Sequence, residues 1–442
     1  MKILVYGLGL PPFRRGGLVN YSVDLSEQLS NYGNNVTFLY PGKISFFNEQ
    51  ECSFKKRTSQ YRFTCFELVN PLPVSLTFGN SVNASKFYAS RGKNSIRKFI
   101  SEISPDIVHI HTIMGLPIEF LEVLKEKNIK IIYTTHDYYG LCPKMLKKDA
   151  VKKLRSTNCS YDCLLCKKGP NFDKIRLMQS RFYQRFKNNM FIKLIRKHQS
   201  NNYSNEIDHL ILTPRQAQER YTLRKYYLKM FSMVDVFHFN SYIAEKIYKQ
   251  YLPNLKGKVV TLVVKGLISS SKERHSHKVP TIGFLGGIDK KKGFDLLKQT
   301  TLQLKKSGLK FKLLCAGSDS NHLFFNYQFV ENVGIISRNE INDFYKKVDL
   351  LVVPSVWHET FGVVVLEALS LNLPVLCSSM VGAQELVPSD FVFSNQKDFY
   401  NKLSSFITSV NTRQRYFDLS YTTGVDTNFA NHVNEIYDVF YK

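Results

Sequence analysis

Residues 350–369 read LLVVPSVWHETFGVVVLEAL and contain a complete strand–loop–helix unit. The run Leu350–Val353 is entirely apolar, as expected of a strand that is covered on both faces. A largely polar loop follows, and a helix is predicted to begin near Phe361. Ligands bind beyond the carboxyl ends of the strands in open α/β sheets. This loop is therefore the first candidate for a binding site.

Short apolar runs of the same kind alternate with longer amphipathic segments along the chain. In the first half we predict strands at Lys2–Tyr6, Val36–Tyr40, Ile107–His111, Ile131–Thr134, Val236–Phe239 and Val259–Val264. In the second half we predict them at Thr281–Leu285, Phe311–Ala316, Val333–Ile336, Leu350–Val353 and Pro374–Ser378. Strand–helix alternation that occurs twice predicts an α/β protein with two doubly wound parallel-sheet domains.

The boundary between the two predicted domains is a polar stretch at residues 269–280, which has no apolar period. Residues 1–268 then form the N-terminal domain and residues 281–427 the C-terminal domain. Residues 428–442 have a helical apolar pattern and are expected to pack back across the domains. A chain of 442 residues has the length of two ordinary domains.

The charge is strongly positive, with 61 basic and 36 acidic residues and a net charge of +25. Residues 141–230 hold 21 of the basic residues against six acidic ones, a net charge of +15. Such a field attracts nucleic acid, anionic lipid or small anions. Within this insertion, Ile175–Ile195 is predicted to be one basic amphipathic helix, which either contacts a membrane or packs on its own domain. No apolar run approaches the ~18 residues that a membrane-spanning helix needs.

Two groups of cysteines have different expected roles. Four lie in apolar or strand-like contexts and are predicted to be plain buried thiols: Cys52, Cys65, Cys315 and Cys377. Four others fall in the basic insertion: Cys142, Cys159, Cys163 and Cys166. Reduced packing cysteines are the default for the second group, and a structural zinc ion is the alternative.

Two glycine-containing loops follow predicted strands and suit a phosphate group. After Leu285 the sequence reads Gly286-Gly287-Ile-Asp-Lys290-Lys291-Lys292-Gly293. Backbone N–H groups come close in such a loop, and ammonium groups neutralise charge. After Tyr6 a loop contains Arg14-Arg15-Gly16-Gly17 ahead of a predicted helix. A tight turn with solvated lysines is the simpler alternative for the first loop.

Carboxylates and a histidine complete the set of candidate site residues. Glu359 lies just before the predicted helix and Glu367 about two turns into it. Carboxylates accept hydrogen bonds from sugar hydroxyls, and the free N–H groups at a helix start favour a diphosphate. His136 follows the predicted strand Ile131–Thr134, where a catalytic role and a structural one are equally open. The chain contains no Asp-x-Asp motif, which fits a site that needs no divalent ion.

The ordered set of motifs resembles family 4 of the retaining glycosyltransferases. Glu359 and Glu367, with seven residues between them, match the E-x7-E motif of that family. Further segments match it in order and spacing: Asp106–His111, His136–Tyr138, Lys292–Gly293, Pro374-Val375 and Gly382–Glu385. Each motif alone is weak, but the ordered set is specific and spans nearly the whole chain.

The resemblance implies the GT-B fold, in which two Rossmann-like domains face each other across a cleft. The N-terminal domain binds the acceptor, and the C-terminal domain binds a nucleotide-sugar such as a UDP- or GDP-sugar. It implies that Glu367 binds the ribose and Glu359 the transferred sugar, while Lys292 neutralises the diphosphate. His136 is implied to lie beside the transferred sugar.

Further donor-binding residues are implied only by the same resemblance. They offer backbone groups to the donor: Gly16, Gly17, Gly287, Phe361, Gly362 and Val363. Many relatives carry an arginine where this chain has Gly287. Lys290, Lys291, Arg14 and Arg15 are candidates to replace that arginine. The departure also suggests a catalytically silent scaffold as an alternative.

The reaction implied is the transfer of a hexose with retention at the anomeric carbon, without a cofactor or a divalent metal. Relatives of this kind most often extend a lipid-linked or surface polysaccharide intermediate, such as O-antigen, capsule or exopolysaccharide. We expect a cytoplasmic enzyme that associates peripherally with the anionic inner face of the membrane. A GT-B-fold nucleotide-sugar epimerase or hydrolase and a basic nucleic-acid-binding protein are the alternatives, although no base-reading element accompanies the charge.

Overall fold

An eight-stranded sheet forms the framework of the first half of the chain in the computed structural model. The structure describes residues 1–45, 51–75, 83–141, 171–186, 189, 213–269, 277–337, 340–422 and 425–442. The strands follow the order β3-β4-β2-β1-β5-β6-β7-β8, and β3 joins the otherwise parallel sheet antiparallel to β4. In chain order they are β1 Lys2–Tyr6, β2 Asn35–Pro41, β3 Ser53–Arg57, β4 Thr64–Val69, β5 Ile107–Ile110, β6 Lys130–Thr134, β7 Val236–Phe239 and β8 Gly257–Val259.

A second, six-stranded parallel sheet forms the framework of the other half, in the order β11-β10-β9-β12-β13-β14. Its strands are β9 Thr281–Leu285, β10 Lys312–Ala316, β11 Val330–Asn332, β12 Leu350–Val353, β13 Val375–Ser378 and β14 Val392–Phe393. Strands β5, β12 and β13 are buried along their whole length. The predicted α/β class with two parallel-sheet halves is confirmed.

The helices lie between the strands, as parallel connections require. In the first half they are α1 Gly17–Asn31, α2 Asn94–Ile103, α3 Ile118–Glu126, α4 Phe172–Gln179, α5 Arg181–Phe186, α6 Pro214–Ser232 and α7 Tyr242–Tyr251. In the second half they are α8 Phe294–Lys306, α9 Ile341–Lys346, α10 Val363–Ser370, α11 Gln396–Thr408 and α12 Val410–Thr422. The last helix is α13 Phe429–Ile436, and a π-helical turn, Tyr437–Tyr441, follows it.

Two of the predicted strands are wrong in position. The strand predicted at Val333–Ile336 is β11, which ends at Asn332, because Gly334 has a left-handed φ of 78° that leaves the extended conformation. The run Val259–Val264 contributes only the end of β8. Val260 and Leu262 are nevertheless buried, so the apolar character of this run reflects packing as a loop.

The C-terminal segment returns to the first half of the chain. The Tyr21 hydroxyl on α1 lies 2.8 Å from His432 Nε2 on α13, and both side chains are buried. The Tyr441 hydroxyl lies 2.7 Å from Nδ1 of the buried His109 on β5. Residues at the end of the chain therefore complete the packing around the first sheet.

The continuous amphipathic helix predicted over Ile175–Ile195 is wrong. Helices α4 and α5 are separated at Ser180, whose backbone is extended and whose hydroxyl accepts a hydrogen bond from the Tyr183 N–H at 3.2 Å. A serine that caps the next helix in this way ends the first one. Ile175 is fully buried, whereas Phe182 is 69% exposed. Much of the remainder of the predicted helix lies outside the described residues.

Among the helices of the described residues, none combines the length and the apolar character that crossing a membrane demands.

Candidate active site

The loop between β12 and α10 carries most of the predicted donor-binding residues. Helix α10 begins at Val363, two residues after the predicted start. Gly362 turns the chain into the helix with a φ of 99°, and a Cβ there would lie 2.6 Å from Val381 Cγ1. The buried Phe361 anchors the turn, because its carbonyl accepts the Ala383 N–H at 2.7 Å. The first N–H groups of α10 lack partners within the helix and can therefore meet an anion.

Glu359 and Lys292 form an ion pair in this loop. Glu359 Oε2 lies 2.7 Å from Lys292 Nζ, and the Ser355 hydroxyl donates to the other carboxylate oxygen. The Glu359 side chain is 14% exposed and that of Lys292 is 43% exposed. The ammonium group is thus the accessible partner, positioned to meet a negatively charged ligand. Both residues line a pocket with Pro354.

The lysine loop is fixed against the loop that carries Glu359. Gly293 has a φ of 82°, and a Cβ there would lie 1.7 Å from the Pro354 carbonyl oxygen. The Val356 N–H donates to the Lys291 carbonyl at 3.0 Å. This close backbone approach, which only glycine permits, explains how Lys292 reaches Glu359.

Gly287 occupies the position at which the family resemblance leads us to expect an arginine. Its φ is 61°, and a Cβ there would lie 2.6 Å from the Gly317 carbonyl oxygen. Its N–H already donates to the Ala316 carbonyl at 3.1 Å. This backbone therefore has no room for a side chain at 287. Among the candidates to replace the arginine, Lys291 places its Nζ 4.7 Å from the centre of the Trp357 ring.

Glu367 lies in the second turn of α10, and its hydrogen-bond partner differs from those of Glu359. Its Oε2 accepts a hydrogen bond of 2.9 Å from the Tyr345 hydroxyl. Burial, together with the neighbouring Glu367 carboxylate, raises the pKa of Tyr345. The hydroxyl therefore remains a donor at any physiological pH, and it fixes the carboxylate on the helix.

His136 lies just beyond β6, at the carboxyl edge of the first sheet. Its Nε2 is 2.9 Å from His111 Nδ1, and its ring meets the Tyr21 ring edge-on at 5.0 Å. Burial lowers the pKa of His136 to about 3. The imidazole is therefore neutral at pH 7, so it can donate or accept a hydrogen bond but carries no charge to the site.

Gly16 and Gly17 form the exposed start of α1. A Cβ at either position would meet nothing within 4 Å, so a ligand can approach the backbone there. In the described part of the chain, no hydrogen bond joins these glycines to the Lys292–Glu359 pair. The structure brings Lys292 and Glu359 into direct contact and leaves the glycine loop separate from them.

Hydrogen bonds between the two halves identify residues that the sequence analysis missed. The Thr360 hydroxyl donates to the His136 carbonyl at 2.8 Å, and the Ser241 hydroxyl donates to the Thr360 carbonyl at 2.5 Å. The Tyr242 N–H donates to Glu385 Oε2 at 3.1 Å. Thr360 lies between the candidate site residues Glu359 and Phe361. That neighbourhood was the only feature of the sequence that indicated a role for Thr360 in the site. The glutamate loop and the catalytic histidine candidate are thus adjacent.

The cysteines of the basic insertion, Cys142, Cys159, Cys163 and Cys166, lie outside the described residues, as does most of the basic insertion itself. The other four cysteines are buried free thiols, as predicted.

Two family models match the chain, one in each half. "Glycosyltransferase Family 4" matches residues 15–166, and "Glycosyl transferases group 1" matches residues 268–418. Among curated proteins, an uncharacterized 42.6 kDa protein in the cps region of Klebsiella pneumoniae is 23% identical over 96% of this chain and 98% of its own length. The sulfoquinovosyl transferase SQD2 of Arabidopsis thaliana is 27% identical over 30% of this chain and 28% of its own length.

Solved structures share the two-domain arrangement. WaaG, a glycosyltransferase involved in lipopolysaccharide biosynthesis, has a TM-score of 0.56 at 14% identity, with 99% of each chain covered. Anabaena HepE, solved with UDP and glucose, has a TM-score of 0.56 at 12% identity, with 99% of this chain and 98% of its own covered.

Two facing parallel-sheet halves, each matched by a glycosyltransferase model, make this protein a glycosyltransferase of the GT-B class. The chain belongs to the family 4 glycosyltransferases, and its reaction is glycosyl transfer from a nucleotide-sugar. The epimerase or hydrolase and nucleic-acid-binding alternatives gain no support.

Proposed function

We propose that this glycosyltransferase transfers its sugar with retention and without a divalent metal, to a lipid-linked or surface polysaccharide intermediate. The observation that carries the proposal is the ion pair between Lys292 and Glu359, the latter lying just before α10. The next residue, Thr360, donates a hydrogen bond to the His136 carbonyl. An ammonium group and free helix N–H groups together suit the two negative charges of a departing diphosphate.

The residues of this site have separate tasks in the proposed reaction. The bond between the anomeric carbon and the diphosphate oxygen breaks, while Lys292 and the N–H groups of Gly362 and Val363 stabilise the charge that develops. The acceptor hydroxyl attacks from the same face, and its proton passes to the departing phosphate oxygen. Glu359 accepts hydrogen bonds from hydroxyls of the transferred sugar, and Glu367 from the ribose. No enzyme nucleophile is required.

The same groups support the proposal that no divalent metal is needed. Lys292 and the start of α10 supply positive potential where a bridging cation would otherwise act, and the sequence has no Asp-x-Asp motif. The test is transfer of a labelled sugar in excess EDTA. Full activity is expected, and loss that added Mn²⁺ or Mg²⁺ restores would contradict this part of the proposal.

The acceptor proposal is supported by proteins to which the chain is similar. One relative comes from a cps region, and WaaG is involved in lipopolysaccharide biosynthesis. The net charge of +15 over residues 141–230 suits an anionic membrane surface, where each basic residue near the lipid contributes roughly 1 kcal/mol. Ile175 is buried and cannot make this contact. Leu177, Phe182 and Arg185 are exposed and are candidates for it.

Membrane contact is tested by sedimentation with vesicles. We expect binding to anionic but not zwitterionic vesicles, reversed by salt, and weakened by F182S together with R185E. Lys397→Glu, an equal charge change at an exposed site on α11, serves as the matched control. If the wild-type protein fails to bind even at low salt, a soluble acceptor is the better assignment.

The donor and the reaction are tested together. A thermal-shift panel of UDP-, GDP-, ADP- and TDP-sugars identifies the donor, because a ligand that binds only the folded state raises Tm. The stabilising donor is then incubated with a lipid extract, and the anomeric configuration of the product is determined by NMR. Retention is expected. An inverted product, or hydrolysis without transfer, would refute the proposal.

A further inference from the structure

His111 is a fully buried histidine that the proposed reaction does not use. It follows β5, and its backbone N–H donates to the Tyr6 carbonyl at 2.9 Å. Its Nδ1 lies 2.9 Å from His136 Nε2. Its other ring nitrogen, Nε2, is buried and has no hydrogen-bond partner among the described residues.

The bond between the two rings has two possible directions, which differ in what they leave at His111 Nε2. If His136 donates, a neutral His111 must carry its proton on Nε2, which is then a buried N–H without an acceptor. If His111 donates from Nδ1, its Nε2 carries only a lone pair. Buried N–H groups without partners are rarer in proteins than unsatisfied acceptors. Burial also lowers the pKa of His111, so the doubly protonated ring is disfavoured.

We infer that His111 is a positioning residue, which donates from Nδ1 to His136 Nε2 and thereby holds His136 in the tautomer protonated on Nδ1. The inference rests on the proposed role of His136 beside the transferred sugar.

The consequence is a fixed hydrogen-bond polarity at the site. His136 is partly exposed, and Nδ1 is the ring nitrogen that its contact with His111 leaves available. With a proton there, His136 donates to an oxygen of the sugar or of the leaving phosphate, and it is not a base. Its backbone carbonyl is held by Thr360, so both the position and the polarity of the ring are set. Glu359 supplies the complementary acceptor.

The tautomer is tested directly by two-bond ¹H–¹⁵N correlation spectra of protein labelled with ¹⁵N-histidine. The His136 signals are assigned from their loss in H136N. We expect Nδ1 to be the protonated nitrogen of His136 in the wild-type protein, and the two tautomers to be mixed in H111L. A wild-type spectrum with the proton on Nε2 would overturn the inference. This measurement needs no substrate, so it stands apart from the proposed function.

Kinetics supply the second readout. H111L should lower kcat roughly tenfold, with the donor KM nearly unchanged, because only the orientation of a donor group is lost. H111N places an amide N–H close to the position of Nδ1 and should restore most of the rate. H432L removes a buried histidine that contacts Tyr21 instead, and it should retain the wild-type kcat even if Tm falls.

The outcomes separate the two ideas. If H111L transfers at the wild-type rate and keeps the His136 tautomer, His111 has no positioning role. If H136A transfers at the wild-type rate, the proposed role of His136 fails, whatever the spectra show.

Discussion

Replacement of Tyr441 by phenylalanine tests whether the end of the chain stabilises the first domain through one directed chain of hydrogen bonds. The Val260 carbonyl can only accept, so His238 donates to it from Nε2 at 2.9 Å. His238 Nδ1 then accepts from the Thr134 hydroxyl, and Thr134 Oγ1 accepts from His109 Nε2. His109 Nδ1 is left to accept from the Tyr441 hydroxyl at 2.7 Å. Because the Val260 carbonyl at one end can only accept, the donor and acceptor of every hydrogen bond in this series are determined.

The expected loss of stability depends on the group that loses its hydrogen-bond partner in Y441F. His109 is fully buried, so its Nδ1 becomes an acceptor without a partner or water. Reversal of the tautomer does not help, because it places an unpaired N–H at Nδ1 and removes the donor of His238. The expected loss is therefore the full desolvation penalty of about 1–3 kcal/mol. For a domain of this size that corresponds to a fall in Tm of roughly 2–12 °C.

The assay is thermal unfolding followed by differential scanning calorimetry. Tyr437→Phe removes a hydroxyl one turn earlier from a partly exposed ring, and it serves as the control. We expect Y441F to melt below both the wild-type protein and Y437F. If Y441F and Y437F melt together at the wild-type temperature, the hydrogen-bond chain does not contribute to stability and the reasoning fails.

Three further predictions concern the site and the buried histidines. Glu367→Ala should abolish most of the thermal stabilisation by nucleoside diphosphate, whereas Glu359→Ala should lower transfer and leave that stabilisation largely intact. Lys292→Ala should lower kcat about 10²-fold or more, the usual scale for one lost charge-stabilising donor, as measured by product formation under saturating donor. Stability should fall between pH 6.5 and about 4. Burial lowers the pKa of His238 from its ordinary 6.5 to about 4, so below pH 6.5 the unfolded chain takes up a proton that the folded one refuses. That effect is about 3 kcal/mol, measured by urea titration at each pH. Burial raises the pKa of Asp137 to about 6, which offsets a similar amount. The net fall remains because burial also lowers the pKa of His136 and that of His432 to about 3.

The central strands were predictable because their sequences carry the signal by themselves. β1, β7, β9 and β12 match the predicted bounds residue for residue, and each is a short run dominated by apolar residues. The edge strand β3 reads SFKKR and is mostly solvated, so it has no such signal. Its partner β4 contains the buried Glu67, which is stabilised by an ion pair with Arg57 of β3. β4 itself is a largely buried run, but its pairing with β3 cannot be predicted from the solvated sequence of β3.

The candidate site was predictable in its parts but not in its contacts. Glu359 and Lys292 were separate motifs, 67 residues apart, and the structure joins them because Gly293 lets two loops touch. Ser180, which ends α4, carried a readable capping signal that the apolar spacing around it obscured. Thr360 meets His136 across 224 residues, and such a contact depends on the arrangement of the two halves.

The residues beneath His136 connect the site to the end of the chain. His109 and His111 lie two residues apart, so they share one side of the extended backbone, and their ring centres are 4.3 Å apart. Tyr441 is hydrogen-bonded to the His109 ring, and His136 is hydrogen-bonded to the His111 ring. The C-terminal turn is therefore connected to His136 through two histidine rings. The C-terminal segment that returns to pack here does more than bury apolar surface, because Tyr441 is hydrogen-bonded to the buried His109 beside His111.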